Sequence, residues 1–312
     1  MFQLFKKRSF SSYINDTFDF FKVEGKNYMK NYFLINGGFL VLMLISFYFV
    51  FQVYFDIIQS GSIGYEPDFI INYLQDNALL VFCFGIIMVA TLLIFSAISY
   101  SYPSLYLKNM EKFPGATITS EMIIADLKKQ IGRILIYILG LVFIVMPLFT
   151  VAFGLTFMMI FIIIGIPLLL LLLPTLLSLS MLSYNDYLVK GTPFFQSFAT
   201  AFKMLKNNFW PIIGSTLIMY IILQVVLSIF TLIPQIMMML QMFTSLKSDS
   251  DIMQSSSFSL LYLITFIISI VVSFVLNNLL MINQGLIYYS EREVMENNQS
   301  RFDIDQLGQS NE

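Results

Sequence analysis

From Ile134 to Ser183 the chain carries no charged residue, no amide side chain and no histidine. One helix of that length would reach roughly 75 Å at about 1.5 Å per residue, against a hydrocarbon core of about 30 Å. The stretch therefore predicts two crossings, near 132–153 and 157–184. Their turn is expected at Pro147–Gly154, because proline ends helices and glycine tolerates a reversed backbone. Further apolar runs at Tyr32–Phe55, Ala78–Tyr102, Trp210–Phe243 and Phe258–Tyr289 bring the spans to six. The last two exceed the ~20 residues a crossing needs, which implies tilt, projecting ends or a break at Pro234. In the fourth span Pro167 and Pro174 predict kinks that free the carbonyls of Ile163 and Leu170.

A second period lies outside the spans. Before the first, Phe10, Ile14, Phe18 and Phe21 recur at helical intervals, with Asp16, Asp19 and Lys22 on other faces. Before the fifth, Phe194, Phe198, Phe202 and Leu205 repeat the same spacing beside Lys203 and Lys206. Asn31, Tyr32, Phe33 and Gly37 then match Asn208, Phe209, Trp210 and Gly214, after an insertion in the first copy. A weaker stripe, Ile123, Leu127 and Ile131, precedes the third span. The expected fold is all-α: a polytopic integral membrane protein forming one membrane domain over residues 1–312. It would be built as three units, 9–103, 117–187 and 192–290, each an interfacial amphipathic helix plus two spans, followed by a solvated polar tail at 291–312. Such helices lie at headgroup level, where aromatic side chains enter lipid and lysine meets lipid phosphate, or they pack the same face on the bundle. Thr192 is expected as N-cap of the third, with Pro193 first in the helix.

Charge sets the orientation. The chain is 58% hydrophobic and 12% charged, a profile that requires lipid around most of its surface. Of 17 Lys and Arg, all but Lys247 fall on one side of the six spans, so both termini are expected to be cytoplasmic. The opposite loops hold Asp56, Glu66, Asp68, Asp76, Asp249 and Asp251. The first 30 residues have no apolar core, so the first span is expected to serve as the insertion signal. Cys83 has no partner and reads as a small apolar filler.

The chain has no histidine, which removes the commonest general base and metal ligand. No phosphate-cradling glycine motif occurs either. The expectation is a protein that is not an enzyme, with no catalytic residue, metal or cofactor, and no nucleic-acid partner. Polar side chains inside spans remain. Ser269, Ser273, Asn277 and Gln284 fall on roughly one face of the sixth span, either lining a cavity or hydrogen-bonding between helices. Gln224 and Asn36 are placed singly, and Arg133 with Asp186 is expected as an ion pair at the cytoplasmic rim. No Asp, Glu, Lys or Arg sits mid-span, which argues against ion-coupled transport.

The stretches "RSFSSYINDTFDFFKVEGKNYMKNYFLINGGF", "SFATAFKMLKNNFWPIIG" and "INQGLIYYSERE" together resemble a bacterial membrane family, the membrane domain attached to some glycerophosphoryl diester phosphodiesterases. That family's soluble domain depends on catalytic histidines, which this chain lacks, so the resemblance implies an accessory six-span module of the bacterial inner membrane without that activity. Two functions are expected from this reading. One is a non-catalytic scaffold or accessory subunit of an envelope or protein-export complex, with membrane lipids and integral membrane proteins as partners. The other is a lipid or small-molecule permease or channel with a polar cavity along the sixth span.

Overall fold

A computed structural model describes residues 2–59, 75, 78–245 and 256–297, with the backbone alone at some helical positions, among them 51–59 and 234. Glu66, Asp68, Asp76, Asp249, Asp251, Lys247 and the tail beyond Asn297 lie outside the described residues, whereas Asp56 falls in a helix and not in a loop. Nine α-helices are described: α1 (Phe10–Val23), α2 (Gly25–Gln59), α3 (Ala78–Lys112), α4 (Ser120–Gly140), α5 (Met146–Met158), α6 (Gly165–Val189), α7 (Phe194–Asn207), α8 (Phe209–Ser245) and α9 (Ser256–Glu296). Among the described residues there is no strand. Six stretches are long and apolar enough to cross a bilayer: Gly25–Val50, Phe82–Lys112, Ser120–Phe161, Gly165–Val189, Phe209–Ile233 and Leu263–Glu296. The protein is an all-α, multi-pass membrane protein, as its hydropathy predicts.

The reversal between the third and fourth spans is not at Pro147–Gly154. A π-turn at Leu141–Val145 joins α4 to α5, and Met146 N–H bonds Leu141 O. Pro147 directly follows this π-turn, and the backbone stays helical on both sides of it, so the proline does not end the span. The chain reverses further on, through a 3₁₀ turn at Met159–Ile162 and Ile163, whose φ is +66°. Gly165 makes the close return possible, since a Cβ there would run into the backbone of Met159 and Ile160. Pro167 consequently sits in the first turn of α6 and kinks nothing, whereas Pro174 is buried inside the helix. α8 stays helical through position 234, so the break expected there does not occur.

Contacts divide the chain into two compact units. The first comprises Met1–Ile35, Ala97–Leu223 and Asn277–Glu312. Its core gathers Tyr13, Phe20, Tyr28, Tyr102, Tyr106, Leu286 and Tyr289, all with 1% exposure or less. A second cluster joins Ile134 and Tyr137 of α4 to Tyr184, Tyr187 and Leu188 of α6. The other unit comprises Asn36–Ser96 and Gln224–Leu276. Its core is Leu40 and Met43 of α2 with Phe95 of α3, and Phe274 of α9 meets Phe95 edge to face at 4.6 Å.

A β-branched residue at positive φ costs roughly 1–2 kcal/mol. Ile163→Gly is therefore expected to raise the thermal unfolding midpoint in detergent, and Gly165→Ala to lower it by an overpacking cost of about 1–3 kcal/mol.

Candidate functional site

The sequence "SEREV" at the end of α9 reads as solvated, yet Ser290, Glu291, Arg292 and Glu293 are buried. The expectation of a solvated tail from residue 291 is corrected here. The N-terminal segment and α1 cover this helix end. Glu291, 1% exposed, accepts hydrogen bonds from Tyr13 Oη at 2.8 Å and from Asn208 Nδ2 at 2.9 Å. Burial, reinforced by that carboxylate, pushes the Tyr13 hydroxyl up, so the proton stays on tyrosine. Arg292 meets both carboxylate oxygens of Glu111 on α3 through Nη1, at 3.0 and 3.1 Å, while Tyr289 Oη donates to the same carboxylate at 2.8 Å. The rings of Phe5, Tyr288 and Tyr289 lie 5.2–5.6 Å from the guanidinium carbon. Arg8 donates its backbone N–H to Ser290 Oγ at 2.9 Å and pairs with Asp16 through Nε at 2.8 Å.

Arg133 and Asp186 do not form the expected ion pair. Arg133 Nη2 donates to the carbonyls of Tyr187, 2.7 Å, and Thr192, 2.9 Å, and its guanidinium lies 4.2 Å over the Tyr187 ring. Fully buried Asp186 instead accepts from Thr192 Oγ1 at 2.8 Å and Tyr288 Oη at 3.2 Å. The physical reason is the C-terminus of α6, whose last carbonyls have no helical partner and attract cations. Arg133 answers one and Lys108 Nζ another, that of Leu188 at 2.9 Å. Thr192 is thereby drawn to Asp186 and is not the cap of α7; Pro193 holds that position without a side-chain bond. Gly191, φ +75°, ends α6 in the left-handed conformation that favours glycine.

The amphipathic helices exist as expected, but their buried stripes are rotated. α1 buries Tyr13, Thr17 and Phe20; Ile14, Phe18 and Phe21 are half-buried and Phe10 is exposed. α7 buries Ser197, Ala201, Met204 and Leu205. Small side chains at 197 and 201 let that face approach its neighbours, which turns the phenylalanines sideways. Phe194 and Phe198 rest on Tyr137, with ring centroids at 5.4 and 6.1 Å, and Gly140 leaves room for Phe194. Phe202 is 63% exposed, on a face shared with exposed Phe195, Lys203 and Lys206.

The polar face of the sixth span is divided between two tasks. Gln284 is fully buried in the first unit, where Nε2 donates to Thr216 Oγ1 of α8 at 2.7 Å, and Ser178 of α6 reaches the same hydroxyl at 2.9 Å. That part ties helices together. Ser269 and Ser273 belong to the second unit and line a cavity of about 490 Å³. Thr231 and Gln235 of α8 join them, with Met43, Phe47 and Leu92 of α2 and α3, and Phe266, Ile270 and Phe274 of α9. Ser269 Oγ lies within hydrogen-bond distance of Thr265 O, 2.9 Å, and of Phe230 O across on α8, 3.1 Å. Asn277 is half-buried and is not part of this lining. Cys83 is exposed and fills no core.

Two features escaped the sequence reading. Tyr28 with Tyr32, and Tyr102 with Tyr106, form a buried quartet at i, i+4 spacing on two spans. Tyr28 Oη donates to Asn278 Oδ1 at 2.7 Å, and Tyr102 Oη to Tyr28 O at 2.6 Å. On α8, Gln224, Ser228, Thr231 and Gln235 repeat at 4, 3, 4 and are all exposed, a polar stripe legible as one helical face. Comparison with family models, with curated proteins and with solved structures finds no match to this chain.

Removing Glu291 takes the acceptor from buried Tyr13 and half-buried Asn208. Glu291→Ala is expected to cost about 1–3 kcal/mol per orphaned group, read as a lowered unfolding midpoint, and Glu291→Gln to recover part of the loss.

Proposed function

We propose that the protein is a non-catalytic accessory or scaffold subunit of a larger membrane assembly in the bacterial inner membrane, with both termini cytoplasmic. One observation carries this reading: the amide side chain of Gln224 on α8 is exposed at membrane depth. Gln224 lies well inside the Phe209–Ile233 span, is exposed, and has no hydrogen-bond partner among the described residues. Around it are exposed Val225, Ile229 and Leu232. An amide facing hydrocarbon costs up to several kcal/mol, whereas one meeting a hydrogen-bonding side chain on another helix gains about 0.6–2 kcal/mol. The surface fits a transmembrane helix of another integral protein that presents an amide or hydroxyl there. A further support is that the most apolar window of each span is at most 33% buried within the chain. The asymmetric placement of Lys and Arg supports the orientation. The exposed Phe195, Phe202, Lys203 and Lys206 of α7 suit the same cytoplasmic headgroup layer.

A lipid or small-molecule permease is the second reading, and the cavity lined by Ser269 and Ser273 favours it.

Purification of the tagged chain in a mild detergent, followed by mass spectrometry, tests the first reading. Stable integral companions are expected at stoichiometric yield, and Gln224→Leu should reduce their recovery about threefold or more, the factor one interhelical hydrogen bond supplies. Isolation as a lone monomer in several mild detergents would sink the proposal, and recovery of the chain only with itself would replace it by a homo-oligomer.

A further inference from the structure

The cavity of the second unit points, we infer, to a binding site for an uncharged, hydroxyl-bearing long-chain lipid taken from the bilayer. The inference rests on the chemistry of the lining and holds under either functional reading. Four polar side chains converge there as two i, i+4 pairs: Thr231 and Gln235 on α8, Ser269 and Ser273 on α9. None of the lining side chains is ionisable. The Gln235 amide has no partner among the described residues and offers donors and an acceptor, while the hydroxyls offer lone pairs. A hydroxyl can donate and accept in such surroundings. A carboxylate or phosphate brought to the same depth would be desolvated with no cation to balance it. The remaining lining, which includes Phe47, Phe266 and Phe274, is apolar and aromatic and suits a hydrocarbon chain. The volume of about 490 Å³ lies within the ~300–1,000 Å³ typical of ligand sites.

The same unit provides an internal contrast. A shallow groove along α3, formed by Phe82, Gly85, Ile86, Val89, Ala90 and Leu93, encloses about 530 Å³ and has no polar lining at all. Ordinary bilayer chains fill such a groove whatever head they carry. The two surfaces therefore differ in one chemical respect, the presence of neutral hydrogen-bonding groups, with similar volume.

The experiment is photolabelling of the full chain in phosphatidylcholine nanodiscs with a fatty alcohol carrying a diazirine in its chain. The matching fatty acid above its ionisation pH and the matching alkane serve as comparisons, and labelled residues are mapped by mass spectrometry. The alcohol is expected to label Met43–Phe47 and Phe266–Phe274 saturably, to be displaced by excess unlabelled alcohol, and to exceed the fatty acid there. Thr231→Val with Gln235→Leu should weaken the alcohol about fivefold, the factor one net hydrogen bond supplies, and leave the alkane unchanged. Ser273→Phe, which fills the cavity, should remove labelling at these positions but leave Phe82–Leu93 labelled, a retained signal that reports an intact fold. Labelling that is non-saturable and equal at the two surfaces would mean annular lipid only and overturn the proposal. Equal labelling by the ionised acid, or an alcohol signal indifferent to the Thr231 and Gln235 changes, would overturn it as well.

Discussion

Buried polar groups need partners, and in this molecule that requirement organises the first unit. Glu291, Arg292 and Asp186 are each less than a tenth exposed. A charge in that position is strongly destabilising unless donors or counter-charges surround it. Tyr13 and Asn208 answer Glu291, Glu111 answers Arg292, and Thr192 with Tyr288 answers Asp186. These bonds join α1, α3, α6 and α9 and the start of α8, elements far apart in sequence. The apolar core around them is close-packed, and the buried bonds add pairings between fixed atoms of these elements.

The rest of the fold follows a complementary logic, in which polar backbone ends are satisfied locally. The C-terminus of α6 shows this. Its orphan carbonyls draw Arg133 and Lys108, Gly191 turns the chain, and Thr192 closes on Asp186. α7 is thereby set against α4 and α6 with Phe194 and Phe198 on Tyr137. In the second unit the balance differs. Its described side chains are almost all apolar and extensively exposed, so its few hydroxyls and amides stand out chemically. Thr231, Gln235, Ser269 and Ser273 are placed together, and Gln224, on the same face of α8 as Thr231 and Gln235, is exposed.

How much of this was readable beforehand depends on which physical signal was strong. Hydropathy over windows of about 20 residues is dominated by the transfer of whole helices, so six spans were legible. The four-residue spacing of phenylalanines made α1 and α7 legible as amphipathic helices. It did not reveal which face packs on protein, since small residues such as Ser197 and Ala201 compete with phenylalanine for the close contact. Proline misled at position 147 because the helix absorbs it beside a π-turn and runs on to Met158. Charge misled at Glu291, because a run of ionisable residues after an apolar span ordinarily means water.

The linear order of the letters determined that the chain is helical and crosses a bilayer several times, and it gathers most of the lysines and arginines into alternate connections between the spans. These follow from average hydrophobicity and charge, which need no knowledge of neighbours. Tertiary structure alone decided that Arg133 binds a helix end and not Asp186, that Gln284 is a tie while Ser269 and Ser273 border a cavity, and that α9 ends buried. Each of those outcomes depends on which group happens to lie within about 3 Å, a distance that hydrogen bonding enforces and no periodicity encodes.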